Sequence, residues 1–185
     1  PVRTFGIIGY PLSHSYSPAV FNEKFKKEHR SNYEYKPFTL KNLSHFSELL
    51  RANPTLMGLN VTLPFKVAIL PLLDTVDEVA KAVGAVNTIK IIPYLPVPDD
   101  PDSKYVLRKS VFSHRKSFIL KGYNSDVFGF EQALKPLLMK HHRKALILGT
   151  GGAAKAVGYA LKKLRLKFVY VTRKITPYKL NHFKQ

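Results

Sequence analysis

The fold is decided by Lys144-Ala-Leu-Ile-Leu-Gly-Thr-Gly-Gly-Ala-Ala154 and by Lys167-Phe-Val-Tyr-Val-Thr172, which follows it. This pattern predicts a strand, a glycine turn, a helix over residues 152–164 and a second strand, the opening βαβ of a dinucleotide-binding fold. We expect Gly149 to make the tight turn, Gly151 to let the backbone approach a pyrophosphate, and Ala154 to keep helix and strand close. The N-terminal amides of the helix would then face the phosphates.

The end of the second strand indicates which dinucleotide is bound. An NAD site usually carries an acidic residue about 20 positions after the glycines, bonded to the ribose 2′-hydroxyl. This chain has no Asp or Glu after Glu131 and offers Thr172, Arg173 and Lys174 instead. Because two cations suit a 2′-phosphate, we expect NADP as the cofactor. The alternative is that Arg173 and Lys174 belong to a solvated basic face.

The composition excludes several classes of protein. With 185 residues, 45% of them hydrophobic, the chain can bury a packed core, which argues against general disorder. The absence of cysteine excludes disulfides, thiolate nucleophiles and thiolate metal sites, and no metal site is predicted. No apolar run is long enough for a membrane span and no signal peptide opens the chain, so we expect a cytoplasmic protein without a membrane partner.

The chain is strongly basic, with a formal net charge of +18. Such a charge attracts polyanions, so non-specific nucleic-acid binding is open. The basic residues are dispersed through apolar-patterned segments, however, and form no recognised nucleic-acid motif. We therefore expect the charge to help an anionic substrate and cofactor, and no specific nucleic-acid partner.

The remaining hydrophobic pattern alternates between strands and helices, which predicts an α/β fold with a mostly parallel sheet. The pattern predicts strands over residues 5–9, 32–38, 57–62 and 86–92 and helices over 19–29, 42–51, 64–70, 74–83 and 124–139, with Ser17 as the N-cap of the first helix. It divides the chain into a substrate-binding domain (1–123, with an atypical loop or hairpin at 93–117), a linker helix (124–142) and an incomplete dinucleotide-binding domain (143–185).

Three polar segments of the first predicted domain, residues 13–17, 60–66 and 122–126, suggest chemistry. Strand alternation puts Asn60 and Thr62 on one face, and the turn at Pro64 brings Lys66 to a helix N-terminus. Asp126 lies in the first turn of a later helix. A lysine and a carboxylate that meet in a cleft between two domains make a proton-transfer pair, although each also fits an ordinary surface or helix-start position.

Five motifs in this order resemble the successive signatures of the shikimate dehydrogenase family. They are Gly6-Ile-Ile-Gly-Tyr-Pro-Leu-Ser-His-Ser-Tyr-Ser-Pro18, Gly58-Leu-Asn-Val-Thr-Leu-Pro-Phe-Lys66, Gly84-Ala-Val-Asn-Thr88, Gly122-Tyr-Asn-Ser-Asp-Val-Phe-Gly129 and Gly149-Thr-Gly-Gly-Ala-Ala154. The resemblance implies a substrate domain followed by an NADP-binding Rossmann domain, and the interconversion of 3-dehydroshikimate and shikimate in chorismate and aromatic amino-acid biosynthesis.

The resemblance also implies roles for individual residues. Ser15 and Ser17 would bind the substrate carboxylate, and the ring hydroxyls would be held by Asn60, Thr62, Asn87 and Asp126. Lys66, paired with Asp126, would pass the proton as hydride is transferred. The pyrophosphate would be cradled by Gly149, Gly151, Gly152 and Ala153.

Three departures from the family pattern keep alternatives open. Ser125 stands where the family usually has Thr, residues 93–117 look longer than the family's hairpin, and the family continues well past the position of Gln185. We therefore expect a C-terminally truncated chain, whose own activity and oligomeric state (monomer or homodimer) stay open. The alternatives are a quinate/shikimate dehydrogenase paralogue and a non-catalytic basic fragment on a degenerate dehydrogenase scaffold.

Overall fold

A computed structural model of the protein describes residues 1–93 and 118–172. The described residues form two compact units: the first takes in residues 1–77 and 86–123, and the second residues 78–85 and those from 124 onward. The predicted loop or hairpin at 93–117 lies, apart from Pro93, outside the described residues, and so do Arg173 and Lys174.

The first unit is built on one six-stranded sheet with the order β2-β1-β3-β5-β6-β4. Its strands are β1 (Arg3–Gly9), β2 (Tyr33–Thr39), β3 (Leu56–Val61), β4 (Thr75–Val76), β5 (Thr88–Pro93) and β6 (Phe118–Tyr123). Three pairings are parallel, β1 with β2, β1 with β3 and β4 with β6, whereas β5 runs antiparallel to β3 and β6. The predicted α/β fold with a mostly parallel sheet is thereby confirmed.

The two faces of this sheet bury different parts of the core. The register places Ile8, Leu59, Ile89 and Leu120 on one face, where each is almost completely buried. The described residues of this unit include the helices α1 (Ser17–Lys27), α2 (Phe46–Ala52) and α3 (Phe65–Ala68). The opposite face carries Ile7 and Tyr35, against which α1 packs its aromatic side chains. Alternation along the strands thus fixes which side chains face each helix layer.

Two predicted features of the first unit are wrong. Residues 74–83 were predicted as one helix, but the structure has β4 there, followed by a separate helix from Glu78. The cause is Asp74, whose carboxylate accepts a 2.8 Å hydrogen bond from the Leu120 amide and whose own amide donates to the Leu120 oxygen at 3.0 Å. Ser17 is not an N-cap: α1 begins at Ser17, and its cap position is Tyr16, which makes no side-chain capping bond.

The second unit contains the predicted βαβ. Its elements are α4 (Glu78–Val83), α5 (Asp126–Leu134), β7 (Lys144–Leu148), α6 (Gly152–Lys163) and β8 (Lys167–Val171). β7 and β8 pair in parallel from Lys144↔Lys167 to Leu148↔Val171. The helix predicted over residues 124–139, with an interruption at Pro136, ends at Leu134 and is followed by a short 3-10 turn, because Pro136 has no amide hydrogen to continue it.

Helix α5, which the sequence places in a linker, packs inside the second unit. Val127 of α5 shares a buried cluster with Ala156 and Ala160 of α6. Glu131 joins the same helices, since its carboxylate accepts from Lys163 at 2.6 Å as well as from Lys135 at 2.7 Å. Within residues 1–93 and 118–172, no helix combines the length and apolar character that a membrane crossing requires.

Candidate functional site

The polar residues singled out in the first unit lie along one edge of its sheet. This edge carries the carboxyl ends of β1, β3 and β6 and, because β5 is antiparallel, the amino end of β5. The register places Asn60 opposite both Ile7 and Thr88, and Thr88 opposite Tyr123. Side chains from distant parts of the sequence therefore converge at this strand edge, as expected where parallel strands end together.

Main-chain hydrogen bonds hold the segments that leave this strand edge. The Thr62 amide donates to the Ile8 oxygen at 2.9 Å, and the Val61 amide donates to the Asn87 oxygen at 2.8 Å. The Val86 amide donates to the main-chain oxygen of Lys66 at 2.7 Å. The segment containing Thr62 and Lys66 is thus tied to β1 on one side and to the start of β5 on the other.

Lys66 belongs to helix α3, which has only four residues. The predicted helix over residues 64–70 is shorter than expected and gives way to a 3-10 turn at Leu70–Leu72. Lys66 and Thr62 are both half-buried, and Asn87 is buried with 8% of its surface exposed. Partial burial leaves their polar groups accessible to a ligand while their positions are restrained by the sheet.

Asn60 is the centre of a hydrogen-bonded network at the strand edge. Its Oδ1 accepts a 2.7 Å hydrogen bond from the Tyr35 hydroxyl. Its Nδ2 lies 3.4 Å from Thr88 Oγ1 and 3.5 Å from the Asn87 oxygen. The Thr88 hydroxyl in turn donates to Asn87 Oδ1 at 3.1 Å. Asn60 and Asn87, two of the predicted substrate ligands, are joined by this network.

Ser17 belongs to the same network through the Tyr35 phenol. Burial raises the pKa of Tyr35 strongly, and a hydrogen bond from Ser17 opposes that shift in part. The phenol therefore stays protonated at physiological pH and acts as the donor to Asn60. Ser15 lies half-buried in the turn between β1 and α1, where its amide donates to the Leu12 oxygen at 3.0 Å.

Sequence reasoning missed Tyr35 and Thr88. Their importance depends on the pairing of β2 with β1 and of β5 with β3, which no local pattern reveals. In the alternating pattern of β2, Tyr35 occupies the position of an ordinary core residue, and only 4% of its surface is exposed. A cleft of about 760 Å³ lies on this face of the sheet, with a mostly apolar lining and Tyr35, Asn60, Thr88 and Tyr123 among its polar residues.

In the second unit, Asp126 is the first residue of helix α5. The Asn124 side chain accepts hydrogen bonds from the amides of Asp126 at 3.1 Å and Val127 at 3.4 Å, and it donates to the Ala85 oxygen at 2.9 Å. Asp126 is half-buried, at a helix N-terminus where a negative charge is favoured. Its backbone position is therefore fixed by Asn124.

The glycine turn between β7 and α6 has the geometry expected of a phosphate-binding loop. Gly149 has φ +109°, which favours glycine, and Gly151 occupies the N-cap of the 12-residue helix α6. A side chain added at either glycine would meet no atom within 4 Å, so the space over the turn is open. Gly152 and Ala153 are the first two residues of α6, and Thr172 directly follows β8.

A close approach of helix and strand is found at Gly158, and the expectation for Ala154 stays a prediction. A Cβ on Gly158 would overlap the Tyr170 hydroxyl of β8 and lie 3.2 Å from Phe168 Cε2. A side chain at this position would therefore require the rings of β8 to shift. This packing holds α6, whose first residue follows the glycine turn, against β8.

The fold and these two sets of residues define a class: an α/β protein with a polar strand-edge site in one unit and a dinucleotide-type βαβ in the other. Residues 7–89 match the family model of the shikimate dehydrogenase substrate binding domain. The chain is therefore similar to the shikimate dehydrogenase family, as its sequence motifs predicted.

Relatives extend the similarity over most of the chain. The shikimate dehydrogenase (NADP(+)) of Caldivirga maquilingensis is 34% identical over 172 residues, which are 92% of this chain and 54% of the relative. That of Halothermothrix orenii is 38% identical over 165 residues, which are 87% of this chain and 48% of the relative. The chain thus spans about half the length of the curated relatives it matches.

Solved structures give the same result for the fold. Shikimate dehydrogenase 1 from Peptoclostridium difficile superposes with a TM-score of 0.73 at 31% identity, covering 95% of this chain and 57% of that one. The Thermus thermophilus enzyme, solved in complex with NADP(H) and shikimate, superposes with a TM-score of 0.72 at 28% identity, covering 98% of this chain and 59% of that one.

Proposed function

We propose that the protein is an NADP-dependent shikimate dehydrogenase, which interconverts 3-dehydroshikimate and shikimate in the cytoplasmic route to chorismate and the aromatic amino acids. The observation that carries this proposal is the strand edge of the first unit, where Asn60, Thr62, Lys66 and Asn87 converge inside the segment that matches the family's substrate-binding domain. Relatives named for this NADP-linked activity support it.

The chemistry of the strand edge supports the substrate roles that the family resemblance implies. A polyhydroxylated ring needs paired donors and acceptors, which the amides of Asn60 and Asn87 and the hydroxyl of Thr62 supply. We assign the ring hydroxyls to these three residues and to Asp126. Ser15 and Ser17 are assigned to the carboxylate, because both hydroxyls lie in the segment that follows β1 and can donate to an anion.

Proton transfer is assigned to Lys66, with Asp126 as its carboxylate partner. Reduction of a carbonyl needs a proton donor within reach of the oxygen, and oxidation of the alcohol needs the same group as an acceptor. The Lys66 main-chain oxygen accepts a hydrogen bond from the Val86 amide, which restrains the backbone from which this side chain extends.

The open glycine turn fits the pyrophosphate of NADP. Gly149, Gly151, Gly152 and Ala153 would hold it with main-chain amides, and Thr172, Arg173 and Lys174 follow β8 where a 2′-phosphate would bind. NADP held there would supply the hydride chemistry of the proposed reaction. The chain's own contribution is to bind both molecules and to move the proton at the Lys66 ammonium group.

Kinetics of Lys66→Ala test the assignment. With shikimate and NADP, we expect kcat to fall by about 100-fold or more, with a smaller change in KM, because proton transfer acts in the transition state. Lys26→Ala is a matched control, since Lys26 is an exposed lysine on α1. A Lys66→Ala chain with the wild-type kcat would contradict the role of Lys66.

The activity itself is tested on the wild-type chain with each substrate and cofactor in turn. Turnover of shikimate with NADP supports the proposal, and preferential turnover of quinate would assign the chain to the quinate/shikimate paralogues instead. Failure to bind shikimate in calorimetry and failure to turn over either alcohol would contradict the proposed function for this chain.

A further inference from the structure

Tyr35 lies between two of the assigned substrate ligands, although it is not one of them. Its hydroxyl donates to Asn60 Oδ1 at 2.7 Å and accepts from Ser17. Ser17 and Asn60 come from different elements, the start of α1 and the end of β3. Tyr35 therefore connects a residue assigned to the substrate carboxylate with a residue assigned to a ring hydroxyl.

The phenol of Tyr35 is held in place from several directions. The Phe21 ring of α1 stacks on the Tyr35 ring with centroids 4.6 Å apart and planes 9° apart. Asn22 of α1 binds the Tyr35 main chain twice, with its Oδ1 accepting from the Tyr35 amide at 2.8 Å and its Nδ2 donating to the Tyr35 oxygen at 2.9 Å. A donor fixed in this way constrains the group that accepts from it.

The orientation of the Asn60 amide depends on this donor. With Oδ1 bonded to Tyr35, Nδ2 faces the Asn87 main-chain oxygen and Thr88 Oγ1 at 3.5 and 3.4 Å. The bonds from Nδ2 are long and weak, whereas the bond from Tyr35 is short. If the amide were rotated by half a turn, its oxygen would face the Asn87 carbonyl oxygen, and two acceptors would repel each other.

We propose that Tyr35 is a positioning residue that fixes the Asn60 side-chain amide with its NH2 group toward β5, so that Asn60 serves the substrate as a hydrogen-bond donor. The proposal rests on the proposed function for the identity of the ligand, but the orientation of the amide is a property of the free protein. Without the Tyr35 hydroxyl, the Asn60 amide loses its short bond, and only the long, weak contacts of Nδ2 then favour this orientation. A substrate hydroxyl oxygen then finds the donor only part of the time.

The test compares Tyr35→Phe with Tyr33→Phe. Both changes remove one hydroxyl and keep the ring, and both residues lie on the same face of β2. The Tyr33 hydroxyl contacts Arg3 at 3.2 Å and has no bond to Asn60 in the described structure. In the ligand-free chain, we expect the Asn60 side-chain NH2 signals in NMR, assigned with Asn60→Asp, to shift in Tyr35→Phe and to stay unchanged in Tyr33→Phe.

Calorimetric titration with shikimate measures the consequence for binding. Loss of one hydrogen bond predicts a Kd raised about three- to tenfold in Tyr35→Phe, with the number of binding sites per chain unchanged. A merely structural role would instead lower the number of competent sites and leave Kd at the wild-type value. We expect Tyr33→Phe to match the wild type in both quantities.

The outcomes separate this proposal from the proposed function. Unchanged Asn60 signals in Tyr35→Phe, or a loss of sites at constant Kd, would overturn the positioning role. If the wild-type chain does not bind shikimate, the proposed function fails, and the Asn60 signals alone decide the role of Tyr35. If Tyr35→Phe does not fold, a slowly exchanging Tyr35 hydroxyl proton close to the Asn60 amide in wild-type NMR spectra supports the proposal, and its absence overturns it.

Discussion

Gly158 and Gly129 allow a controlled measurement of how tightly α6 packs onto β8. Both glycines lie inside helices of the second unit, Gly158 in α6 and Gly129 in α5. Replacing an interior helical glycine with alanine favours the helix by about 1 kcal/mol in either case. A Cβ at Gly129 meets no atom within 4 Å, whereas a Cβ at Gly158 would overlap the Tyr170 hydroxyl and lie 3.0 Å from Tyr170 Cζ.

The difference between the two variants therefore isolates the steric cost at Gly158. Overpacking of a well-packed site costs about 1–3 kcal/mol, so the helix preference is cancelled or exceeded. We expect Gly129→Ala to stabilise the chain by up to about 1 kcal/mol and Gly158→Ala to be neutral or to destabilise it by about 2 kcal/mol. Tyr170 packs edge-on against Phe168, with ring centroids 5.6 Å apart, and this contact opposes a shift of the ring that would relieve the overlap.

The assay is hydrogen exchange of the α6 amides together with thermal unfolding, in which 1 kcal/mol corresponds to about 2–4 °C for a chain of this size. Tyr170→Phe in the Gly158→Ala background removes the overlapping oxygen and should recover part of the loss. The wild type, Gly158→Ala, Tyr170→Phe and the double variant form a cycle that gives the coupling energy between the two positions. If Gly158→Ala stabilised the chain as much as Gly129→Ala, the inferred close packing of α6 on β8 would be refuted.

Two further predictions concern charge. Hydrogen bonds from Lys135 and then Lys163 hold the pKa of Glu131 below its ordinary value of about 4.3. The Glu131 carboxylate therefore contributes its full stabilisation at pH values above the ordinary pKa. This contribution is lost as the pH falls through the lowered pKa. Glu131→Gln should therefore lower Tm at pH 7, and its Tm should converge with the wild-type value in acid; an equal Tm difference at both pH values would contradict this. Arg173→Asp should reduce or reverse the preference for NADP over NAD in binding titrations, because it replaces a cation with a group suited to a free ribose hydroxyl; an unchanged preference would exclude Arg173 from the 2′-phosphate site.

Local pattern was sufficient to predict the βαβ of the second unit. Its two apolar strands, its glycine turn and its alanine-rich helix are continuous segments, and β7, α6 and β8 begin and end within one residue of the predicted positions. The same reasoning failed at residues 74–83, since β4 has only two residues and is held by Asp74 bonded to Leu120, which is 46 positions away. A strand of that length has no periodicity to detect.

The site in the first unit shows the same limit. Asn60, Thr62, Lys66 and Asn87 were found from short polar motifs, but their mutual arrangement depends on strand direction. Because β5 runs antiparallel to β3, the residues that begin β5 lie beside those that end β3, and Thr88 pairs with Asn60. A parallel β5 would have carried Asn87 and Thr88 to the opposite edge of the sheet.

Strand direction also explains why Tyr35 can act on Asn60 at all. β2 and β3 flank β1 and both run parallel to it, with Tyr35 opposite Phe5 and Asn60 opposite Ile7, so the two side chains lie on the same face across one intervening strand. That separation is too large for two short side chains but suits a tyrosine, whose hydroxyl lies at the far end of its ring. A shorter polar residue at position 35 would leave the Asn60 oxygen without this donor. The length of one side chain thus links the geometry of the sheet to the hydrogen-bonding character of the proposed substrate site.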